Sequence, residues 1–158
     1  MEYKFIDGSV TAPIGFMAAG VHCGIRKNKD KKDLALIYSE KPCAAAAVYT
    51  QNLVKGAPVV VTKYNINHGR AQAVICNSGN ANTCNADGIE KAKEMCKIVS
   101  DSLGMIPEDV IVASTGVIGQ PLDIEPIRKA VPGLIDRDVY KRQLYHCLGI
   151  SFSDKYIL

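Results

Sequence analysis

The sequence predicts an α/β fold in which a mixed, mainly buried sheet is layered with helices. Two observations lead to this prediction. Short apolar runs rich in β-branched residues alternate with turn residues over the first half of the chain. Further along, a stretch with a helical period lies between two more apolar runs. With 158 residues, of which 47% are hydrophobic, the chain is long enough to bury one sizeable core.

The first elements are expected to be extended. Residues 9–20 are rich in Gly, Ala and Pro and predict an entry segment with turns at Pro13 and Gly15. Residues 34–38 and 45–49 are apolar runs joined by a short polar connection, which is typical of two paired strands. Residues 58–62, with three consecutive valines, predict a third strand.

A strand, a helix, a strand and a shorter helix are expected next. Residues 71–76 and 110–113 are the predicted strands, and residues 124–131 form the shorter helix, closed by Pro132 and Gly133. Between the strands, residues 87–103 predict a helix that begins near Asn85 or Asp87 and ends at Gly104. Its apolar face carries residues spaced by three and four, namely Ile89, Ala92, Cys96, Val99 and Leu103.

One domain is expected over residues 1–135, followed by a non-native or disordered tail over residues 136–158. Consistent periodicity is lost in the tail, and residues 138–143 (DVYKRQ) are typical of a translated sequencing adapter. Our hypothesis is that the natural sequence stops near Ile135. If it is right, Cys147 and His146 carry no functional information.

Charge and hydropathy favour a soluble, cytoplasmic protein. The net charge is only +3, and the densest basic run, residues 26–32, has no interleaved aromatic side chains. It therefore predicts a solvated loop between two apolar stretches rather than a nucleic-acid surface. No stretch approaches the roughly eighteen apolar residues of a membrane span, and residues 1–7 lack the apolar core of a signal peptide.

No metal site or cofactor is expected. The six cysteines form no C-x-x-C pair, which favours free thiols in a reducing compartment. His22 beside Cys23 is the only hint of the closely spaced ligands that zinc needs. Nucleotide fingerprints of the G-x-G-x-x-G or Gly-Lys-Ser/Thr type are also missing.

Two segments are candidates for chemistry because each follows a predicted strand and precedes a predicted helix. In residues 77–82 (NSGNAN), asparagines around Gly79 can form a rigid turn without any ligand. In residues 114–119 (STGVIG), Thr115 and Gly116 place a hydroxyl beside an unhindered backbone N–H, the donors that an oxyanion hole requires. The alternative for this pair is an ordinary turn. No nucleophile with a histidine base can be assembled, so the chain looks like half of an active site.

The chain resembles the ornithine acetyltransferase (glutamate N-acetyltransferase) family from about Gly8 to Ile135. The motifs that carry the resemblance are 8–13 (GSVTAP), 15–16 (GF), 19–21 (AGV), 48–52 (VYTQN), 57–59 (APV), 77–82 (NSGNAN) and 113–119 (ASTGVIG). The resemblance implies the α-chain part of the self-processing ornithine acetyltransferase and aminopeptidase-like sandwich. It also implies cleavage before a threonine, which becomes the nucleophile of a second chain and uses its own amino group as base.

On this resemblance, Thr115 by its hydroxyl and Gly116 by its backbone N–H form the oxyanion hole. The implied reaction of arginine biosynthesis moves an acetyl group from N-acetylornithine to glutamate, without a cofactor, and acetyl-CoA is a donor in some family members. The implied assembly contains two α and two β chains, with no nucleic acid and no membrane. The residues needed for the nucleophile and for cleavage have no counterpart here, so the polypeptide alone is expected to be inactive.

Two other functions are weighed beside this one. An amidase or aminopeptidase of the related self-processing fold would use the same oxyanion hole but transfer the acyl group to water. A non-catalytic scaffold would fold only as a partner of the second chain, and it predicts an exposed apolar edge or face on the sheet.

Overall fold

A computed structural model describes residues 9–140, with side chains up to residue 136. In this part of the chain, four strands form one sheet in the order β1-β2-β3-β4. The strands are β1 (Phe16–Val21), β2 (Leu34–Ala44), β3 (Arg70–Asn80) and β4 (Val110–Val117). β1, β2 and β3 are antiparallel neighbours, whereas β3 and β4 run parallel. The expected mixed sheet is therefore confirmed.

Three helices cover one face of this sheet: α1 (Ala57–Asn65), α2 (Gly88–Leu103) and α3 (Glu125–Tyr140). Alternate strand residues point into the core between the sheet and the helices. The core includes Ala19, Leu34, Leu36, Ala73, Ile75, Val110 and Val112 from the strands, and Val61, Ala92, Met95, Val99, Ile127, Val131 and Leu134 from the helices. Within the described residues, every helix is too short or too polar to span a bilayer.

The opposite face of the sheet carries a row of apolar side chains. Register pairing places Ala18 beside Ile37, Ile37 beside Val74, and Val74 beside Ile111. These four residues are half-buried, whereas most of their core-facing neighbours along the strands are buried. We call this row and the strand residues around it the open face, because none of the described helices packs against it.

Helix α2 matches its prediction. Ala92, Cys96 and Val99 are buried, as their spacing indicated, while Ile89 at the first turn is 43% exposed. Gly104 ends the helix in a left-handed conformation with φ of 69°. Asp87 precedes the helix, but its side chain makes no capping hydrogen bond.

The strand predicted over residues 58–62 is wrong, because these residues belong to helix α1. Pro58 lies in the first turn, where its missing N–H costs no helical hydrogen bond. Val61 then points into the core, and Thr62 binds the edge of β4 through its hydroxyl. Tertiary contacts here outweigh the β preference of the three valines.

The strand predicted over residues 45–49 is also wrong. β2 runs without interruption to Ala44, so the residues that were predicted to connect two strands belong to one strand. The pairing of β2 with β3 shifts in register between Tyr38 and Cys43, and this irregularity accommodates those residues. After Ala44 the chain is irregular up to Gly56. Alanines at 45–47 offer little apolar surface to bury, and Val48 is fully exposed.

Helix α3 is longer than predicted, because it continues through Pro132 and Gly133 to Tyr140. Both residues are exposed, while Val131 and Leu134 on either side are fully buried and hold the helix on the core. Burial thus offsets the hydrogen bond that proline cannot make. The domain boundary at residue 135 stays a prediction, and residues 141–158 of the predicted tail lie outside the described residues.

Candidate active site

The two segments that the sequence singled out meet at one end of the sheet. β3 and β4 are parallel, so both segments lie at carboxyl ends of neighbouring strands. Ser78 pairs with Thr115, and Gly79 pairs with Gly116. Both strands extend further than predicted, with β3 reaching Asn80 and β4 reaching Val117, so much of each predicted loop is strand.

Close contact between two glycines allows this extension. Gly116 has a φ of 129°, which side chains rarely permit. A Cβ added at Gly116 would lie 2.6 Å from the backbone nitrogen of Asn80 and 2.7 Å from the Cα of Gly79. Only glycine at position 116 lets the two backbones stay paired to their ends.

Helix α1 runs along the free edge of β4 and shows which backbone groups point outward. The Thr62 hydroxyl donates to the carbonyl of Val112 at 2.8 Å and accepts from its N–H at 3.1 Å. The Asn65 amide donates to the carbonyl of Val110 at 2.8 Å. Backbone groups of a strand alternate in direction, so the N–H of Gly116 also points to this edge, away from β3.

Thr115 precedes Gly116 near the end of edge strand β4, and we call the place formed by these two residues the corner of the sheet. Side chains alternate between the two faces, and Val110 and Val112 point into the core, so the hydroxyl of Thr115 belongs to the open face. Both Thr115 and Gly116 are exposed. A hydroxyl on the face and an amide at the edge, on adjacent residues, can donate to one oxygen atom at this corner.

The asparagines of residues 77–82 have a structural role in this arrangement. Asn77 donates through its side-chain nitrogen to the carbonyl of Asn80 at 2.9 Å, and Asn80 donates to that of Gln120 at 3.0 Å. Asn82 donates in the same way to Gly88 at the start of α2, at 2.8 Å. All three asparagines are buried. They therefore fix the connection after β3.

A carboxylate organises the loop between β1 and β2. Asp33 accepts hydrogen bonds from the backbone N–H groups of Cys23 at 2.6 Å, Gly24 at 3.2 Å and Arg26 at 2.8 Å. Burial opposes its ionisation, but the hydrogen bonds from Arg26 and Cys23 and the nearby His22 outweigh it, so the pKa of Asp33 lies below its ordinary value. Burial and the Asp33 carboxylate raise the pKa of the Cys23 thiol to about 12.

The same loop places Arg26 at the candidate site. The sequence did not predict that Arg26 would lie there. The Nε of Arg26 donates to the Ser78 hydroxyl at 2.9 Å. Its stem lies over Gly79, where an added Cβ would be 2.9 Å from the Arg26 Cγ. Arg26 looked like one more cation of a solvated loop, and the only signal in the sequence was its position in the basic run before β2.

A surface depression lies apart from this corner, and the described residues hold no group of metal ligands. In residues 9–136, no three His, Cys, Asp or Glu side chains are grouped so that they could hold an ion. His22 instead lies 3.0 Å from the carbonyl of Lys31 and 3.3 Å from Asp33. An open depression of about 400 Å³ is lined by His22, Cys23 and the start of α3, and neither Thr115 nor Gly116 lines it.

Comparisons with known proteins agree with the fold. The chain matches the ArgJ family over residues 17–148. It is 49% identical over 130 residues to the arginine biosynthesis bifunctional protein ArgJ of Symbiobacterium thermophilum, which covers 81% of this chain and 32% of that protein.

Two crystal structures are also similar. One is the arginine biosynthesis bifunctional protein ArgJ of Bacillus halodurans, with 40% identity and a TM-score of 0.75 over 79% of this chain and 65% of that chain. The other is the ornithine acetyltransferase of Mycobacterium tuberculosis in complex with ornithine, with 39% identity and a TM-score of 0.77 over 82% of this chain and 70% of that chain. The chain spans about a third of the length of the curated relatives it matches.

Proposed function

The chain belongs to the ArgJ family, and from this premise we propose that it forms the oxyanion-binding part of an ornithine acetyltransferase of arginine biosynthesis. The proposed donor is N-acetylornithine and the proposed acceptor is glutamate. The Mycobacterium tuberculosis relative was crystallised with ornithine, the product that remains when N-acetylornithine loses its acetyl group. No cofactor is required, and acetyl-CoA is an alternative donor.

The chemistry divides between two polypeptide chains. A threonine hydroxyl on the second chain attacks the acetyl carbonyl, and its proton passes to the amino group of the same threonine. The carbon–nitrogen bond then breaks, ornithine leaves with that proton, and the acetyl group stays on the threonine as an ester. Attack by the glutamate amine on this ester releases N-acetylglutamate and returns the proton to the threonine oxygen.

In both half-reactions the carbonyl oxygen becomes negatively charged. The corner formed by Thr115 and Gly116 is the observation that carries the proposal, because it offers a hydroxyl and an outward-pointing amide on consecutive exposed residues. The contact between Gly79 and Gly116 fixes the backbone before any substrate arrives. Preorganised donors of this kind stabilise a developing oxyanion without further rearrangement.

The second chain needs a surface on which to dock, and the open face offers one. Its row of half-buried apolar residues crosses all four strands. The irregular segment between β2 and α1 also exposes apolar side chains, namely Val48 (100% exposed), Leu53 (100%) and Val54 (70%). Burying such surfaces against a partner would stabilise the assembly by roughly 25 cal/mol per Å² of apolar area. We propose that the second chain covers them in an assembly of two α and two β chains.

A chimera tests the proposed function. Residues 17–135 of this chain would replace their counterparts in the Symbiobacterium thermophilum relative, which supplies the rest of the enzyme. Acetyl transfer from labelled N-acetylornithine to glutamate and release of free acetate would be followed together. We expect transfer to dominate. Acetate as the main product would instead favour an amidase or aminopeptidase, which transfers the acyl group to water. A chimera that assembles but is inactive would favour a non-catalytic scaffold.

Two substitutions at position 115 then test the oxyanion hole. Thr115→Val removes the hydroxyl but keeps the β-branched shape, and it is expected to lower kcat by about 100-fold to 1,000-fold. Thr115→Ser keeps a hydroxyl and should retain most of the activity. Equal kcat values for the valine variant and the parent chimera would remove Thr115 from the mechanism.

A further inference from the structure

We propose that Arg26 binds a carboxylate of the amino-acid substrates at the corner formed by Thr115 and Gly116. This inference rests on the proposed function and adds a specificity-determining residue to it. Both N-acetylornithine and glutamate carry a carboxylate close to the nitrogen that loses or receives the acetyl group. A fixed cation beside the oxyanion hole would orient that nitrogen for the reaction.

The position of Arg26 follows from its hydrogen bond to Ser78. The Nε of Arg26 lies 2.9 Å from the Ser78 hydroxyl. Ser78 is the register partner of Thr115 on the neighbouring parallel strand, and both side chains belong to the open face. Paired residues on adjacent strands are about 5 Å apart. Arg26 therefore hydrogen-bonds to the residue that lies beside Thr115 in the sheet.

The backbone and the side-chain stem of Arg26 are also fixed by contacts. Its backbone N–H donates to the buried carboxylate of Asp33 at 2.8 Å, which fixes the loop that carries it. Its stem passes over Gly79, where any side chain would collide with it. Anchoring of both the backbone and the stem lowers the entropy lost when the guanidinium binds a ligand.

The remaining donors of Arg26 suit an anion. An arginine has five N–H donors, of which the contact with Ser78 uses one. The salt bridges of the described residues pair other cations, and none of them involves Arg26. Guanidinium groups bind carboxylates through two parallel hydrogen bonds, a geometry that positions as well as attracts. Lys27, the next residue, is exposed and provides a matched control.

The test compares substrates with and without the carboxylate charge in the chimera described above. N-acetylornithine and its carboxamide would be assayed with the parent, Arg26→Met and Lys27→Met. The parent should prefer the carboxylate by about tenfold to 100-fold in kcat/KM, as expected for a hydrogen-bonded charge. In Arg26→Met this preference should fall to about twofold or less while kcat/KM for the carboxamide stays near that of the parent. Lys27→Met should behave as the parent does.

A binding measurement separates this inference from the proposed function. Calorimetric titration with ornithine and ornithinamide needs no acetyl transfer, and Arg26→Lys, which keeps a cation, should recover part of the preference for ornithine. A parent that binds both ligands equally, or an Arg26→Met variant that keeps the preference, overturns the assignment. A preference that depends on Arg26 in a chimera without transfer activity would support the subsite and reject the proposed reaction. Matching thermal midpoints would show that the methionine variant is folded.

Discussion

Replacing Gly116 by alanine is expected to separate the ends of β3 and β4. The added Cβ would lie 2.6 Å from the nitrogen of Asn80 and 2.7 Å from the Cα of Gly79. Unstrained contacts between such atoms are about 3.5 Å long, so the strands must move apart by roughly 1 Å. The φ of 129° at this position adds strain, because alanine rarely adopts it.

These effects can be given magnitudes. Backbone strain of this kind costs about 1–3 kcal/mol, and forced overpacking costs about 1–3 kcal/mol more. We therefore expect Gly116→Ala to lower the free energy of unfolding by about 2–6 kcal/mol. Misplacement of a catalytic donor by about 1 Å can reduce kcat by about 100-fold. The assays are thermal unfolding and acetyl transfer by the chimera.

Gly119 provides the matched control. Its φ of 76° is also positive, but an added Cβ would have no atom within 4 Å. Gly119→Ala should cost only the backbone strain, about 1–2 kcal/mol, and leave kcat almost unchanged. If Gly116→Ala and Gly119→Ala gave the same unfolding midpoint and the same kcat, the contact between Gly79 and Gly116 would not be what fixes the corner.

Two further predictions concern ionisable groups. The pKa of Asp33 is lowered in the folded protein, so its stabilising effect is present above the ordinary value of 3.8 and is lost as the pH falls from that value through the lowered one. In denaturant titrations, Asp33→Asn should therefore reduce the loss of stability as the pH is lowered from about 5 to about 2, and a loss equal to that of the parent would contradict this. Cys84 is exposed, whereas burial raises the pKa values of Cys23 and Cys96 to about 12. At pH 8, roughly, a thiol reagent followed by peptide mass spectrometry should label Cys84 before Cys23 and Cys96, and faster labelling of Cys96 would show that the core opens.

Periodicity and end signals predicted the elements that hold the core. The helix over 88–103 and the cores of β3 and β4 were found because their apolar residues repeat with one period and glycine marks the end of the helix. The family resemblance is confirmed by the match to the ArgJ family, and the expected α/β class is confirmed by the sheet and its similar structures. The helix and the two strand cores were predictable because each depends on a short stretch of sequence.

Features that depend on distant partners were not predictable in the same way. Residues 58–62 look like a strand until the edge of β4 is present to bind Thr62. The ends of β3 and β4 look like loops, because a pair of facing glycines has no local signature. Arg26 looked solvated, since its partner Ser78 is 52 residues away in the sequence. The roles of Thr115 and Gly116 stay predictions.

Helix α1 limits where another strand can join this sheet. Its Thr62 and Asn65 side chains hydrogen-bond to the outward-pointing backbone groups of Val112 and Val110, respectively. Strand addition is thereby blocked along the first part of the edge, where it would lead to aggregation. The backbone of Ser114 and Gly116 lies beyond the reach of those two side chains. Thr62 and Asn65 of this helix thus protect the first part of the edge, and the proposed oxyanion hole lies on the part that these two side chains do not reach.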